Sequence, residues 1–282
     1  MFKILFFIAS YLYSISSFAG STAQDWAKIT TPTFNSVSQS IGDYTNGCIS
    51  GAVTLPTSGN GYQVMRLSRN RFYGHAALIN YIQKLGQVAV AEKLGTVLVG
   101  DLGQARGGPT ISGHRSHQTG LDVDIWFLLP KQLDNRLLTA NERETWSATS
   151  VVNMRTDVVD YQQWTQAHEE MLQIAASQPE VDRIFVNPSI KRELCDHKTA
   201  ESSVWLRKIR PWSKHDDHYH VRLKCPDNNP NCHAQAALPA GDGCDASLAW
   251  WFSAEAKTPS KPTKPAPPKP PLPALCEQVL LQ

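Results

Sequence analysis

Net charge is what the chain most plainly lacks: 27 Lys+Arg against 25 Asp+Glu leave a formal +2 over 282 residues. That balance gives no argument for a nucleic-acid partner, which calls for a strongly basic face. After the first twenty residues no further long apolar run occurs, so there is no second candidate for a membrane span. Internal repeats and long linkers are missing, which favours one compact domain. No Cys-x-x-Cys pair is present, setting aside a cysteine zinc site. The helical zinc motif His-Glu-x-x-His also fails: in "HEEML" Leu172 stands where the second histidine is needed. His168 therefore reads as a surface residue. Ser116 lacks a Gly-x-Ser-x-Gly context, so a serine hydrolase has little support.

What is there begins with "MFKILFFIASYLYSISSFAG", in which Lys3, an apolar stretch and then Ser17 and Ala19 have the order of a secretory signal. Residues 1–19 are expected to be a cleaved signal peptide, leaving an exported mature chain with no transmembrane anchor. The six cysteines, Cys48, Cys195, Cys225, Cys232, Cys244 and Cys276, suit that address and suggest three disulfides among many possible pairings. "CPDNNPNC", Cys225 to Cys232, has the turn residues of a small closed loop. The stretch "AKTPSKPTKPAPPKPPLPAL" (Ala256–Leu275) is too rich in Pro and Lys to pack a core and should be extended. A disulfide at Cys276 would strap it to the body. The expected division is residues 1–19 signal peptide, 20–255 one compact domain and 256–282 Pro/Lys-rich tail.

Apolar spacing predicts helices within Ala76–Leu94 and Gln163–Ala176, and buried strands within Gly95–Gly103 and Val181–Pro188, the latter stopped by Asn-Pro. Mixed elements without regular βαβ alternation favour an α+β fold, here a single compact domain around a central antiparallel sheet.

The chemistry sits in two alternating stretches. In "GHRSHQTGLDVDIWF", Leu121, Val123, Ile125 and Phe127 would face one way and Asp122, Asp124 and Trp126 the other. Gly107, Gly108, Gly113 and Gly120 permit a tight loop folding His114 and His117 over the polar face. In "KHDDHYHVRLK", His218, His220 and Arg222 share a face opposite Tyr219, Val221 and Leu223. If the two strands adjoin, His117, Asp124 and His220 converge on one ion. Two imidazoles and a carboxylate suit zinc and leave a position for water, whose pKa zinc lowers toward about 7. His218 and His215 stand close by as acid–base groups, since an unperturbed histidine titrates near about 6.5. "DVVD", Asp157 to Asp160, could hold another cation but reads better as a solvated helix start.

The phrases "GHRSHQTGLDVDI", "RIFVNPSIK", "LRKIRPW" and "HYHVRLKCP" resemble the penicillin-insensitive murein endopeptidases, exported zinc enzymes of the lysostaphin, D-Ala-D-Ala peptidase and hedgehog fold group. The likeness runs from about Trp26 to the C-terminus. It implies His117, Asp124 and His220 as zinc ligands, with His114 also among the metal-binding residues, and His215 and His218 as catalytic histidines. It implies the pairs Cys48–Cys276, Cys195–Cys244 and Cys225–Cys232, and a periplasmic location. The implied substrate is the D-alanyl–meso-diaminopimelyl cross-link of murein. A β-lactam acylates an active-site serine, and a metal-activated water offers none. His218 is expected as general base and His215 as oxyanion stabiliser, though the residues alone leave the two roles exchangeable. Carboxylates flank the cross-link, and Arg66, Arg69, Arg71 and Arg222 are candidates to orient them, with surface charge the plainer reading for most of the first three. An additional Asp-x-x-His metal site known in the family has no counterpart histidine near Asp157 and Asp160. Two other readings stand beside this one: a D-Ala-D-Ala carboxypeptidase or dipeptidase on the same fold, and a catalytically silent zinc module that binds murein. The oligomeric state is left open.

Overall fold

The computed structural model describes residues 21–111, 114–133, 136–258 and 269–282. The expected signal peptide, and residues 259–268 of the tail, lie outside them. The chain forms a mixed α+β fold built on a seven-stranded sheet. Its strands are β1 (Ser58–Gly59), β2 (Tyr62–Val64), β3 (Val97–Val99), β4 (Asp122–Trp126), β5 (Val181–Val186), β6 (Ile209–Pro211) and β7 (His218–Leu223), in the order β6-β5-β7-β4-β3-β2-β1.

The four central strands are antiparallel, as expected. The flanks are not: β5 pairs β6 in parallel, and β2 pairs β3 in parallel. The cause is topological, because a parallel pair needs a crossover. Helix α1 (Ala76–Ala91) lies between β2 and β3 in the chain, and α3 (Pro188–Asp196) lies between β5 and β6. The predicted antiparallel sheet thus becomes a mixed one.

Each helix follows from local sequence. The His75 imidazole caps α1 by accepting the Ala77 N–H, and Leu78, Ile79, Ile82, Leu85 and Ala89 form its buried stripe. Helix α2 (Gln166–Ser177) buries Met171, Leu172, Ala175 and Ala176. These stripes pack with Val99, Val123, Ile125, Ile184, Tyr219, Val221 and Leu223 of the sheet in one core. At about 1.5–3 kcal/mol for each large apolar side chain fully buried, this face fixes which way β4 and β7 present their polar residues.

His168 is buried rather than on the surface. Its Nε2–H donates to the Phe127 carbonyl at 2.7 Å while Nδ1 accepts the Thr165 N–H at 2.9 Å. One ring therefore joins the start of α2 to the end of β4. Burial lowers its pKa.

Three disulfides form, Cys48–Cys276, Cys195–Cys244 and Cys225–Cys232, the pairs the resemblance implied. The first seats α4 (Ala274–Leu281) on the hairpin Gln39–Ser50, where Cys276 and Val279 pack with Trp26, Ile41 and Cys48. Buried Arg106 donates to the Val279 and Leu280 carbonyls at the end of that helix. Among the described residues no helix is long and apolar enough to cross a membrane.

Two outcomes follow. Replacing Cys48 and Cys276 by serine reopens a 228-residue separation and should cost on the order of 2–5 kcal/mol in denaturant unfolding. The neutral His168 ring supports the fold above its unfolded pKa, about 6.5, and that support is lost as pH falls through the lowered folded value. Stability measured against pH should decline below about 6.5, and His168→Gln should flatten part of that decline.

Candidate metal centre

Strands β4 and β7 are hydrogen-bonded neighbours in the register His220↔Asp124 and Arg222↔Asp122. Residues directly opposite on antiparallel strands share a face, so Asp124 and His220 meet across the pair while Val123 and Val221 turn to the core. The loop before β4 brings His114 and His117 over this face. His117 takes a left-handed backbone conformation, φ 64°, uncommon outside glycine. Its backbone N–H donates to Asp122 Oδ2 at 3.1 Å, which holds that turn. Gly107 makes the loop's close approach possible, because a Cβ there would lie 1.8 Å from the Gln118 carbonyl oxygen.

Every histidine of the cluster is oriented by an acceptor on the nitrogen away from Asp124. His117 Nδ1–H donates to the Leu102 carbonyl at 2.9 Å, leaving Nε2 3.3 Å from Asp124 Oδ1. His220 Nε2–H donates to Asp122 Oδ1 at 2.7 Å, leaving Nδ1 3.4 Å from the same Asp124 oxygen. His114 Nε2 meets Asp101 Oδ2 at 3.1 Å, leaving Nδ1 3.6 Å from Asp124 Oδ2. Ligand atoms of His114, His117 and Asp124 all lie within 4.8 Å of one another, and His220 closes the group from the next strand.

These residues fit a tetrahedral cation. Ligands bonded at about 2.0–2.1 Å to tetrahedral zinc sit roughly 3.4 Å apart, close to the three separations above. His117 Nε2 and Asp124 Oδ1 are buried without a hydrogen-bond partner, a costly state for polar atoms that a shared cation would relieve. Electrostatics agree. Burial would raise the Asp124 carboxyl, but His117, His218 and His220 hold it well below the carboxylate range. Burial, with His117 beside it, pushes His220 down to about 4, so the ring is neutral and its Nδ1 lone pair is available.

His218 and His215 border the group. His218 Nδ1–H donates to Asp217 Oδ1 at 2.5 Å, and its Nε2 lies 3.8 Å from Asp124 Oδ1. His215 sits in a turn where both it and Lys214 have positive φ. Asn187, capping α3, holds that turn by donating from its side chain to the Lys214 carbonyl and from its backbone to the His215 carbonyl. The Asn-Pro that stops β5 thus also sets His215. The rings of His215 and His218 are 5.0 Å apart. A cleft of about 460 Å³ opens beside them, walled by Phe185, Trp212, Lys214, His215 and His220. A hollow of about 530 Å³ lies elsewhere, next to Leu94, Phe127 and His168. It holds no comparable polar cluster, so chemistry rather than volume locates the site.

With this geometry established, comparison with known proteins is decisive. The profile of the penicillin-insensitive murein endopeptidases (Peptidase_M74) matches residues 40–281. The chain belongs to this family. A penicillin-insensitive murein endopeptidase of Haemophilus influenzae is 43% identical over 258 residues, covering 91% of this chain and 88% of the relative. Proteins with the same name from Klebsiella pneumoniae subsp. pneumoniae and Salmonella paratyphi C are 44% and 43% identical, over 86% and 87% of each chain.

Within this family member, residues outside the expected set complete the arrangement. Asp122 shares the polar face with Asp124 and could have been found from that alternation. Asp101 follows the buried run "TVLVG", and Asp217 adjoins His218; neither position signals its contacts in advance. Asp157 and Asp160 form no metal group among the described residues. Asp157 pairs with Lys257, and the segment is a short strand pair rather than a helix start. Arg222 is buried, bonded to Asp122 at 2.7 Å and to Gln235 at 2.8 Å. Arg66 donates to the Trp146 carbonyl at 2.7 Å. Arg222 also lines the cleft beside His215 and His220.

Asp122→Asn leaves the Arg222 cation buried without its counter-charge and weakens the acceptor that fixes His220. It should destabilise by about 3–5 kcal/mol and weaken the cluster's affinity for a divalent metal about 10–100-fold. Urea unfolding and a zinc competition titration measure both; unchanged zinc affinity would show that Asp122 does not orient the cluster.

Proposed function

We propose that the chain is a periplasmic zinc endopeptidase that hydrolyses D-alanyl–meso-diaminopimelyl cross-links of murein, with residues 1–19 removed on export and residues 20–255 as the catalytic domain. Family membership supports murein as the substrate class, and the lysostaphin-group fold belongs to the same proposal. The observation that carries the reading is the pair of buried, unpartnered atoms, His117 Nε2 and Asp124 Oδ1, flanked by the oriented nitrogens of His114 and His220.

In this reading His117, Asp124 and His220 hold zinc, and His114 is placed to join them. Zinc bound there would polarise the scissile carbonyl and lower the pKa of an attacking water toward about 7. The remaining work belongs to the two neighbouring histidines. A carbonyl oxygen only accepts, so His215 Nδ1, 2.9 Å from the Ser213 carbonyl, carries the proton. Its Nε2 then holds a lone pair, and burial keeps the ring neutral by lowering its pKa. His215 is the better general base, taking the water's proton at Nε2 and returning it to the leaving amine. His218 has the opposite setting. Burial opposes its charge, but Asp124 and Asp217 outweigh burial and raise its pKa. A cationic His218 stabilises the oxyanion that develops on the carbonyl. These assignments exchange the two roles expected from sequence, because a carboxylate stands behind His218 and a neutral carbonyl behind His215.

Digestion of purified murein tests the reading. Cross-linked dimers should become monomers, a chelator should abolish turnover, and the protein should carry about one zinc per chain, as one closed ligand set implies. Release of free D-alanine instead would make it a carboxypeptidase. His117→Ala and His220→Ala should lose zinc and activity together; His215→Ala and His218→Ala should keep zinc and lose activity by about 10²–10⁴-fold. The rate should hold a plateau across about 6.5, falling on the acid side only as pH drops through the lowered pKa of His215 and on the alkaline side only as it rises through the raised pKa of His218.

A further inference from the structure

On another side of His114 lies a second hollow of about 510 Å³, with Ser68, Arg69, Arg71, Asp101 and Ile111 on its walls. His114 lines both hollows, so a substrate lying across the metal cluster would run from one into the other. The second hollow is organised around Asp101. This carboxylate is almost fully buried, and its Oδ2 takes Arg69 Nη1, Arg71 Nη1 and His114 Nε2, each at 3.1 Å. Asp101 thus anchors both guanidinium groups and one imidazole on a single oxygen.

The two arginines differ in what they offer. The Arg71 side chain is 10% exposed, packed under the wall, whereas that of Arg69 is 51% exposed and faces the opening. Arg69 gives Asp101 one of five N–H donors, and a guanidinium fork matches a carboxylate bidentately. The nearby acid Glu144 is turned to Ser68, accepting its backbone N–H at 3.0 Å and its hydroxyl at 2.7 Å. The turn that presents Arg69 is bracketed by Arg66 and Asn70, both in the left-handed region, a conformation whose cost must be met by surrounding contacts.

We propose that Arg69, seated with Arg71 on Asp101, is a subsite for the substrate carboxylate that flanks the scissile bond, on the diaminopimelyl carbon bearing the leaving amine. The proposal rests on the murein endopeptidase reading for the identity of that carboxylate. It also gives Asp101 two tasks, orienting His114 and carrying the anion-binding cation, so that metal and subsite are held in one frame.

The test is equilibrium binding by calorimetry, with the full chain loaded with zinc. The probes are the uncross-linked murein tetrapeptide containing meso-diaminopimelate and the same peptide amidated at that one carboxylate. The wild-type chain should bind the free acid about 10–100-fold more tightly, the scale of one charged hydrogen-bonded pair. Arg69→Ala should bind both peptides alike at the weaker level, and Arg69→Lys should recover part of the preference. Equal binding of the two peptides by wild type, or an undiminished preference in Arg69→Ala, overturns the subsite. Loss of zinc or a lowered Tm in Arg69→Ala also overturns it, assigning Arg69 to holding Asp101. Murein digestion by the wild-type chain is read separately. No digestion with intact discrimination removes the endopeptidase reading and leaves the subsite; digestion without discrimination does the reverse.

Discussion

A carboxylate shut away from water must have its lone pairs filled, and Asp122 fills them with three donors from two separate segments. Oδ2 accepts the His117 backbone N–H, and Oδ1 accepts His220 Nε2–H and Arg222 Nε–H. The side chain is fully buried, and Arg222 and His220 hold its pKa far below the carboxylate range against the upward push of burial. Removing any one partner would strand charge in the interior, which is far more costly than the pair is stabilising. The left-handed turn at His117, the tautomer of His220 and the register of β4 on β7 are therefore one decision.

The same device recurs outward. Asp101 orients His114 as Asp122 orients His220, and Asp217 orients His218. Ligand-type residues gather around Asp124, and their acceptors form a ring behind them, a shell that fixes ring orientation and basicity. Packing on the other face makes this shell rigid. Val123, Ile125, Tyr219 and Val221 are locked under α1 and α2, so the polar side chains of the same strands have little freedom to drift.

Much of this was legible beforehand. Period-two alternation in "LDVDIWF" and "HYHVRL" separated core residues from polar ones, and the three disulfides agree with the family pairs. Apolar spacing alone places α1 and α2 within a few residues of their ends, but not α3 or α4. The parallel flanks were not legible, because no regular alternation announced α1 and α3 as crossovers. His168 was misread because a histidine that caps a helix and reaches a neighbouring strand looks the same in sequence as an exposed one. Asp101 and Asp217 escaped notice because single acids after a strand or beside a histidine are common in loops.

From sequence come the kind of chemistry and the residues able to perform it, since side-chain type and alternation are local properties. The tertiary structure alone decides which nitrogen of each histidine faces inward and which acceptor stands behind it. Those properties depend on acceptors at Leu102, Asp101, Asp122, Ser213 and Asp217. Each proton lies where its nearest acceptor holds it, and for most of these rings that acceptor comes from another part of the chain.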